Sequence, residues 1–195
     1  CHTRYYERNV MALSATIYKT DLHVSDTDRH YYGSHALTIA RHPSETLERM
    51  MARVLAFAMH ADERLSFTKG ISDADAPDIW LKDLNGAVDL WIEVGQPTET
   101  RILKACGRAA QVVVYCQTGH ASQVWWNAVS PKLKRARNLK VVALPTEPIR
   151  VLAAAATRNM TLYVNIQEHE LFVSTHDDQV ALTRVVWRES DPSYG

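Results

Sequence analysis

Five apolar residues in succession, Val112-Val113-Val114-Tyr115-Cys116, constrain this chain more than any other stretch. A strand with one wet face alternates apolar and polar side chains, whereas a run apolar on both faces must be covered on both. The run therefore predicts a buried parallel strand, and parallel neighbours need long crossovers, usually helical. The flanking sequence supplies them. Val88–Val94 reads as a strand, and Pro97-Thr98 opens a helix to about residue 110 with Ile102, Leu103, Cys106 and Ala109 inward. A second helix over about 121–129 and a strand over Leu139–Leu144 complete the next step.

The remaining elements follow from periodicity. Leu13, Ala15 and Ile17 alternate with Ser14, Thr16 and Tyr18, the period of a strand. Asp26-Thr27-Asp28 reads as a turn, and Tyr31–Ile39 as the returning strand of a hairpin. His42-Pro43-Ser44-Glu45 is expected to open a helix, with Pro43 in its first turn and Leu47, Met50, Met51, Val54, Leu55 and Ala58 on one apolar stripe. Ile79-Trp80-Leu81 and Val88–Val94 flank Leu84-Asn85-Gly86, a hairpin signal. A helix is expected near 149–158, then three short strands at 161–166, 171–174 and 180–187. The sum is an α/β fold with a mixed central sheet flanked by helices. Residues 1–10 read as a non-native or disordered extension, 11–190 as one domain and 191–195 as a tail.

Charge and cysteine usage narrow the function. Lys plus Arg and Asp plus Glu are both 22, so no global field draws the chain to nucleic acid or membrane. Three scattered cysteines, Cys1, Cys106 and Cys116, make neither a disulfide framework nor a zinc spacing. No apolar run approaches the ~18 residues of a membrane span, and a cytoplasmic location is expected. No phosphate-binding glycine loop is present, and the 9 histidines show no metalloprotease spacing.

The chemistry is concentrated in Val88–Val94, where Asp89 and Glu93 interrupt an apolar strand. Burying a carboxylate is unfavourable unless it is compensated. Four residues apart on a strand, the two acids share a face. They call for a metal, a basic partner or water. The next helix carries Arg101, Lys104 and Arg108 at three- and four-residue spacing, one basic stripe. That stripe is either part of the site or a solvated face.

Four stretches carry a resemblance: Ala40-Arg41-His42-Pro43-Ser44-Glu45-Thr46, Ala61-Asp62-Glu63-Arg64-Leu65, Asp89-Leu90-Trp91-Ile92-Glu93-Val94-Gly95 and Lys104-Ala105-Cys106. Together they resemble the YaeQ family of bacterial proteins over nearly all of residues 11–190. The resemblance implies a restriction-endonuclease-like core, the PD-(D/E)XK nuclease architecture, with additional strands. In that architecture carboxylates hold one or two Mg²⁺ (or Mn²⁺) ions that activate water and offset phosphate charge, and a lysine two residues after the last acid completes the site.

On this pattern Pro77-Asp78 supplies the first acid and Glu93 the later one, but Gly95 stands where the lysine belongs. Gln96 could turn inward if Gly95 kinks the strand, and Lys104 could serve from the next helix. Asp73, Asp75, Asp78 and Asp83 compete as the upstream acid. The expected catalytic set is Asp89, Glu93, Lys104, Gln96, Asp75 and Asp78, with metal on Asp89, Glu93 and Asp75. Glu48, Arg101 and Arg108 are accessory. Trp125-Trp126 could stack on bases, and Lys132, Lys134, Arg135, Arg137 and Lys140 could contact a phosphate backbone or simply form a solvated loop. The functional expectation is a metal-dependent nuclease or nuclease-like phosphodiesterase. The alternatives are a non-catalytic nucleic-acid- or protein-binding regulatory module on the same fold, or a buried ion network joining the acids to Lys104 or Arg101.

Overall fold

The structure is a computed structural model and describes residues 14–68, 75–191 and 193. Two sheets are found where one mixed sheet was expected. The five-stranded sheet contains β1 (Thr16–Asp26), β2 (Tyr31–Arg41), β8 (Asn159–Gln167), β9 (Glu170–Ser174) and β10 (Gln179–Thr183) in the order β10-β9-β8-β1-β2. The six-stranded sheet contains β3 (Leu65–Phe67), β4 (Ile79–Lys82), β5 (Val88–Val94), β6 (Ala109–Gln117), β7 (Leu139–Leu144) and β11 (Val185–Arg188) in the order β11-β7-β6-β5-β4-β3. The last expected strand is thus two, β10 and β11, one in each sheet. The physical reason for two sheets is burial. The β1–β2 hairpin has its own apolar face, with Leu22 and Ile39 fully enclosed, and that face needs a separate cover.

The cover is α1 (Leu47–Met59), every residue of which from Met50 to Met59 is buried. A helix buried all round lies inside the protein rather than on it. Its side chains share one core with Leu22, Val24 and Ile39 of the first sheet and with Leu90, Ile92, Val94 and Tyr115 of the second. Helix α4 (Thr146–Ala154) joins the same core through Ile149 and Leu152. The other face of the six-stranded sheet packs Trp91, Val112, Val114 and Val141 under α2 (Glu99–Cys106) and the segment after α3 (His120–Val129), through Ile102, Ala105 and Leu133. The layers therefore run sheet, helices, sheet, helices. The parallel prediction holds at its centre, since β6 pairs parallel with β5 and β7.

Three local readings change. Helix α1 does not start at Pro43. Thr46 is its N-cap and accepts from the Arg49 amide at 3.1 Å, which frees Glu45 to turn inward. The alternation in β1 is out of phase with the expected one, because Tyr18, Thr20, Leu22 and Val24 face in while Ile17 is 43% exposed. Helix α2 ends at Cys106 rather than near residue 110, because Ala109 already pairs in β6. The Leu84-Asn85-Gly86 turn is as read: the Asp83 carboxylate accepts from the amides of Asn85 and Ala87, both at 2.8 Å, and Gly86 takes φ +88°. Asp83 is thereby a turn residue.

Candidate functional site

The β4–β5 hairpin sets the two principal acids on opposite sides of the sheet. Ile79 pairs with Ile92, and the Asp78 amide donates to the Ile92 carbonyl at 3.0 Å, so Asp78 stands beside the Glu93 position. Its side chain turns toward α1. Both Asp78 oxygens accept from Arg49 Nη2 at 2.8 and 2.9 Å, and Oδ2 also accepts from the Val94 amide at 2.8 Å. Glu93 points the other way, toward α2. Its Oε1 accepts from Trp91 Nε1 and from Arg101 Nε, each at 2.8 Å. Burial lifts the Glu93 carboxyl above the usual carboxylate range; the hydrogen bonds from Arg101 and Trp91 oppose this, and the Asp78 charge adds to it.

Asp89 shares the face of Glu93 in strand phase but not its surroundings. Its side chain is 47% exposed and lies 3.7 Å from Arg64, at the far end of β5. Asp75 is exposed and pairs with Lys104 Nζ, with Arg108 at 3.8 Å from the same oxygen. The hydrogen bond from Lys104 holds the Asp75 carboxyl below its ordinary value. Arg101 also donates to the Ala76 carbonyl at 2.7 Å. The basic stripe of α2 is thus divided, with Arg101 turned to buried Glu93 and the exposed Lys104 and Arg108 paired with Asp75. It pins the segment Asp75–Asp78 against the sheet.

Gly95 does kink, with φ +112°, a backbone region open mainly to glycine. Gln96 consequently turns away from Glu93, and its Nε2 donates to Ser122 Oγ at 3.0 Å. Glu48 is a half-buried residue in the first turn of α1. Asp73 lies outside the described residues.

These placements bear on a divalent cation. A Mg²⁺ site needs carboxylate oxygens converging from one side with free lone pairs. Asp78 is closed by Arg49 and an amide, the Oε1 of Glu93 by Arg101 and Trp91, and the two acids face different helices. Among the described residues no three His, Cys, Asp or Glu side chains are grouped to hold a metal ion. As arranged, the acids do not fit the group.

The largest polar feature is one the sequence reading missed. Glu45, 4% exposed, accepts from Arg49 Nη1 at 2.7 Å and from Arg53 Nε and Nη2 at 2.8 and 2.7 Å. Arg53 is 2% exposed and also donates to the Ala40 carbonyl at 3.0 Å. A chain of charges thus runs Arg53–Glu45–Arg49–Asp78 through the α1 layer. Asp78 and Glu45 outweigh the burial of Arg49 and raise its pKa above the ordinary guanidinium value. Part of the signal was present: Arg49 and Arg53, four residues apart, lie on one face of α1, and Glu45 just before its cap can turn back onto both. An arginine inside the apolar stretch Met50–Met59 also demands a partner.

The outlying candidates fall into place. Trp125 and Trp126 are partly buried against the second core, and Trp125 Nε1 donates to the Pro97 carbonyl at 2.8 Å. Lys134, Arg135 and Arg137 are exposed, while Lys132 reaches Glu99 of α2 at 3.0 Å and Lys140 reaches Glu189 at 3.0 Å. Cys106 and Cys116 are free thiols, and burial raises them to about 11 and about 12.

The family model described as YaeQ protein matches residues 11–184. The chain belongs to the YaeQ family. The YaeQ protein of Escherichia coli (strain K12) is 42% identical over 179 residues, which span 92% of this chain and 99% of that protein. The YaeQ protein of Salmonella typhi is equally similar, at 42% over the same length. Among solved structures, YaeQ of Xanthomonas axonopodis pv. citri aligns with a TM-score of 0.86 at 43% identity, over 92% of this chain and 100% of that one. YaeQ of Pseudomonas syringae aligns at 0.87 and 36% identity, over 93% and 98%. The two-sheet layering is thus shared with YaeQ proteins of known structure. Among the described residues no helix is long and apolar enough to cross a membrane.

Proposed function

We propose that this YaeQ protein is a non-catalytic nucleic-acid-binding module on a restriction-endonuclease-like core, in which arginines have taken the place of metal and lysine. The observation that carries this reading is the closure of Glu93. The later acid of the nuclease pattern is buried and accepts a charge-assisted hydrogen bond from Arg101 at 2.8 Å, while Asp78 is held by Arg49. A buried carboxylate in that state is a structural ion pair. The binding surface we assign is the exposed basic run Lys134, Arg135 and Arg137, which follows Lys132 in the chain, and Lys132 itself reaches Glu99 of α2. Contacts of this kind read phosphate backbone and weaken steeply with salt.

The catalytic reading keeps one specific support. Pro77-Asp78 and Glu93 stand side by side across the β4–β5 hairpin, as the nuclease pattern arranges its acids. On that reading Glu93 and Asp75 hold Mg²⁺ or Mn²⁺ after Arg101 and Lys104 swing away, and Asp89, at the far end of β5 beside Arg64, takes no part. Two measurements separate the two. Calorimetric titration with MgCl₂ and MnCl₂ should show no saturable site in the wild type. Fluorescence anisotropy with labelled DNA and RNA should show binding that falls with NaCl and falls further on Arg135→Glu with Lys134→Glu. Metal-dependent cleavage stopped by EDTA and abolished by Glu93→Gln would refute the binding-module reading and establish the catalytic one.

A further inference from the structure

A cleft opens on the α1 side of the sheet, at the carboxyl ends of β5 and β6, with a volume of about 400 Å³. Ligands of open α/β sheets are commonly held in this position, beyond the strand ends. The cleft is lined by Arg49, Gln96, Gln117 and Ser122 together with Val94, Gly95 and Tyr115.

Its charge is one-sided, since Arg49 is the one ionised group among the lining residues. Arg49 spends Nη1 on Glu45 and Nη2 on Asp78 and the Val94 carbonyl, while its Nε–H makes no hydrogen bond to the described residues. A Cβ at position 95 would sit 3.7 Å from that Nε. Gly95, at φ +112°, therefore leaves the guanidinium edge open to the cleft. Ser122 is 4% exposed and accepts from Gln96, so its own proton remains to be donated. The side-chain amide of Gln117 makes no hydrogen bond to the described residues. No carboxylate lines the cleft, because Glu45 and Asp78 are turned into the arginines. Unspent donors without a competing acid suit an oxyanion, and an arginine locked by two ion pairs presents its remaining N–H without further loss of side-chain freedom. The volume exceeds that of a bare tetrahedral anion and suits an anion with an organic body.

We propose that this cleft binds a small organic oxyanion, a phosphate ester or a carboxylate, whose charged group is held by Arg49 Nε, Ser122 Oγ and Gln117. The inference does not depend on nucleic-acid binding at Lys134, Arg135 and Arg137, since the two surfaces use different residues.

The test is calorimetric titration of the purified full chain with three probes: adenosine 5′-monophosphate, succinate and inorganic phosphate. The expected result is saturable one-site binding of at least one organic probe, with inorganic phosphate weaker. Binding of the phosphate ester alone, or of succinate alone, assigns the source of the oxyanion. Ser122→Ala and Gln117→Leu should each weaken that binding about tenfold or more, as expected for losing a hydrogen bond to a charged group. Neither should shift the melting temperature of the ligand-free protein by more than about 2 °C. Should Ser122→Ala fail to fold, Gln117→Leu carries the test alone, because that side chain supports no packing hydrogen bond. Lys134→Glu, in the exposed basic run, should leave the affinity unchanged. The proposal is overturned if no probe saturates below about 10 mM, or if Ser122→Ala and Gln117→Leu both bind as the wild type does.

Discussion

Replacing Arg101 by methionine removes the cation that faces Glu93 and gives a penalty whose size depends on pH in a calculable way. At pH 7 the buried carboxylate of Glu93 would keep only the Trp91 indole as donor. Orphaning one member of a buried ion pair typically costs about 3–5 kcal/mol, but a carboxyl group has an escape, since it can take up a proton. Protonating a glutamate of ordinary pKa near 4.3 costs about 1.36 kcal/mol per pH unit, so the electrostatic penalty cannot exceed about 3.7 kcal/mol at pH 7 and about 1 kcal/mol at pH 5. Arg101 is 28% exposed, so water enters the space it leaves, and about 2–3 kcal/mol is the working figure at pH 7. The lost bond to the Ala76 carbonyl adds about 1 kcal/mol at every pH. The sign follows from linkage. Burial already raises the Glu93 pKa in the folded wild type, and the substitution raises it further. Stability referred to this group is then fully present below its unfolded pKa and is lost as pH rises through the higher folded value. Urea unfolding followed by tryptophan fluorescence, reported by the largely buried Trp91, should therefore show Arg101→Met destabilised about twice as much at pH 7 as at pH 5. Adding Glu93→Gln, which keeps an acceptor for Trp91, should restore most of the loss. Equal destabilisation at the two pH values, or a double variant no more stable than the single one, would refute the ion-pair reading.

Arg49→Met should be more damaging than Arg101→Met, because it strips a cation from both Glu45 and Asp78; a loss of about 3–5 kcal/mol in urea unfolding is expected, and a loss below 1 kcal/mol would contradict the continuity of the charge chain. Asp89→Asn and Lys104→Ala touch exposed pairs, and each should change stability by no more than about 0.5 kcal/mol in the same assay. His60 donates to or accepts from the Tyr115 hydroxyl at 2.7 Å, and burial depresses its pKa to about 3. Its stabilising share is present above the unfolded pKa near 6.5 and is lost as pH falls toward 3, so His60→Gln should flatten the acid limb of a stability–pH curve; an unchanged limb would remove His60 from the account. Native Cys106 and Cys116 should stay unmodified by iodoacetamide at pH 8, as intact mass spectrometry and peptide mapping would read, and rapid labelling of either would contradict their raised pKa values.

Local chemistry was legible in the sequence wherever a single segment decides the outcome. The apolar run Val112–Cys116 required a parallel strand covered on both sides, and β6 is one. Asn85-Gly86 after Asp83 required a tight turn, since Gly86 adopts a positive φ and Asp83 ties the loop amides. The need of Glu93 for compensation was equally legible, because burying an ionised carboxylate without a partner is unfavourable. Which charge answers it was not. Spacing placed Arg101, Lys104 and Arg108 on one helix face, but only the seating of α2 over β5 brings Arg101 within 2.8 Å of Glu93 and sends Lys104 to Asp75. The phase of β1 and the division into two sheets were likewise decided in three dimensions. An alternating strand offers either face, and the burial of α1 between two layers selects the one that carries Leu22 and Val24. Sequence fixes what each side chain requires locally, whereas the long-range packing of helices against sheets determines which residue meets that requirement. For that reason arginines of α1 and α2, rather than Lys104, face Asp78 and Glu93.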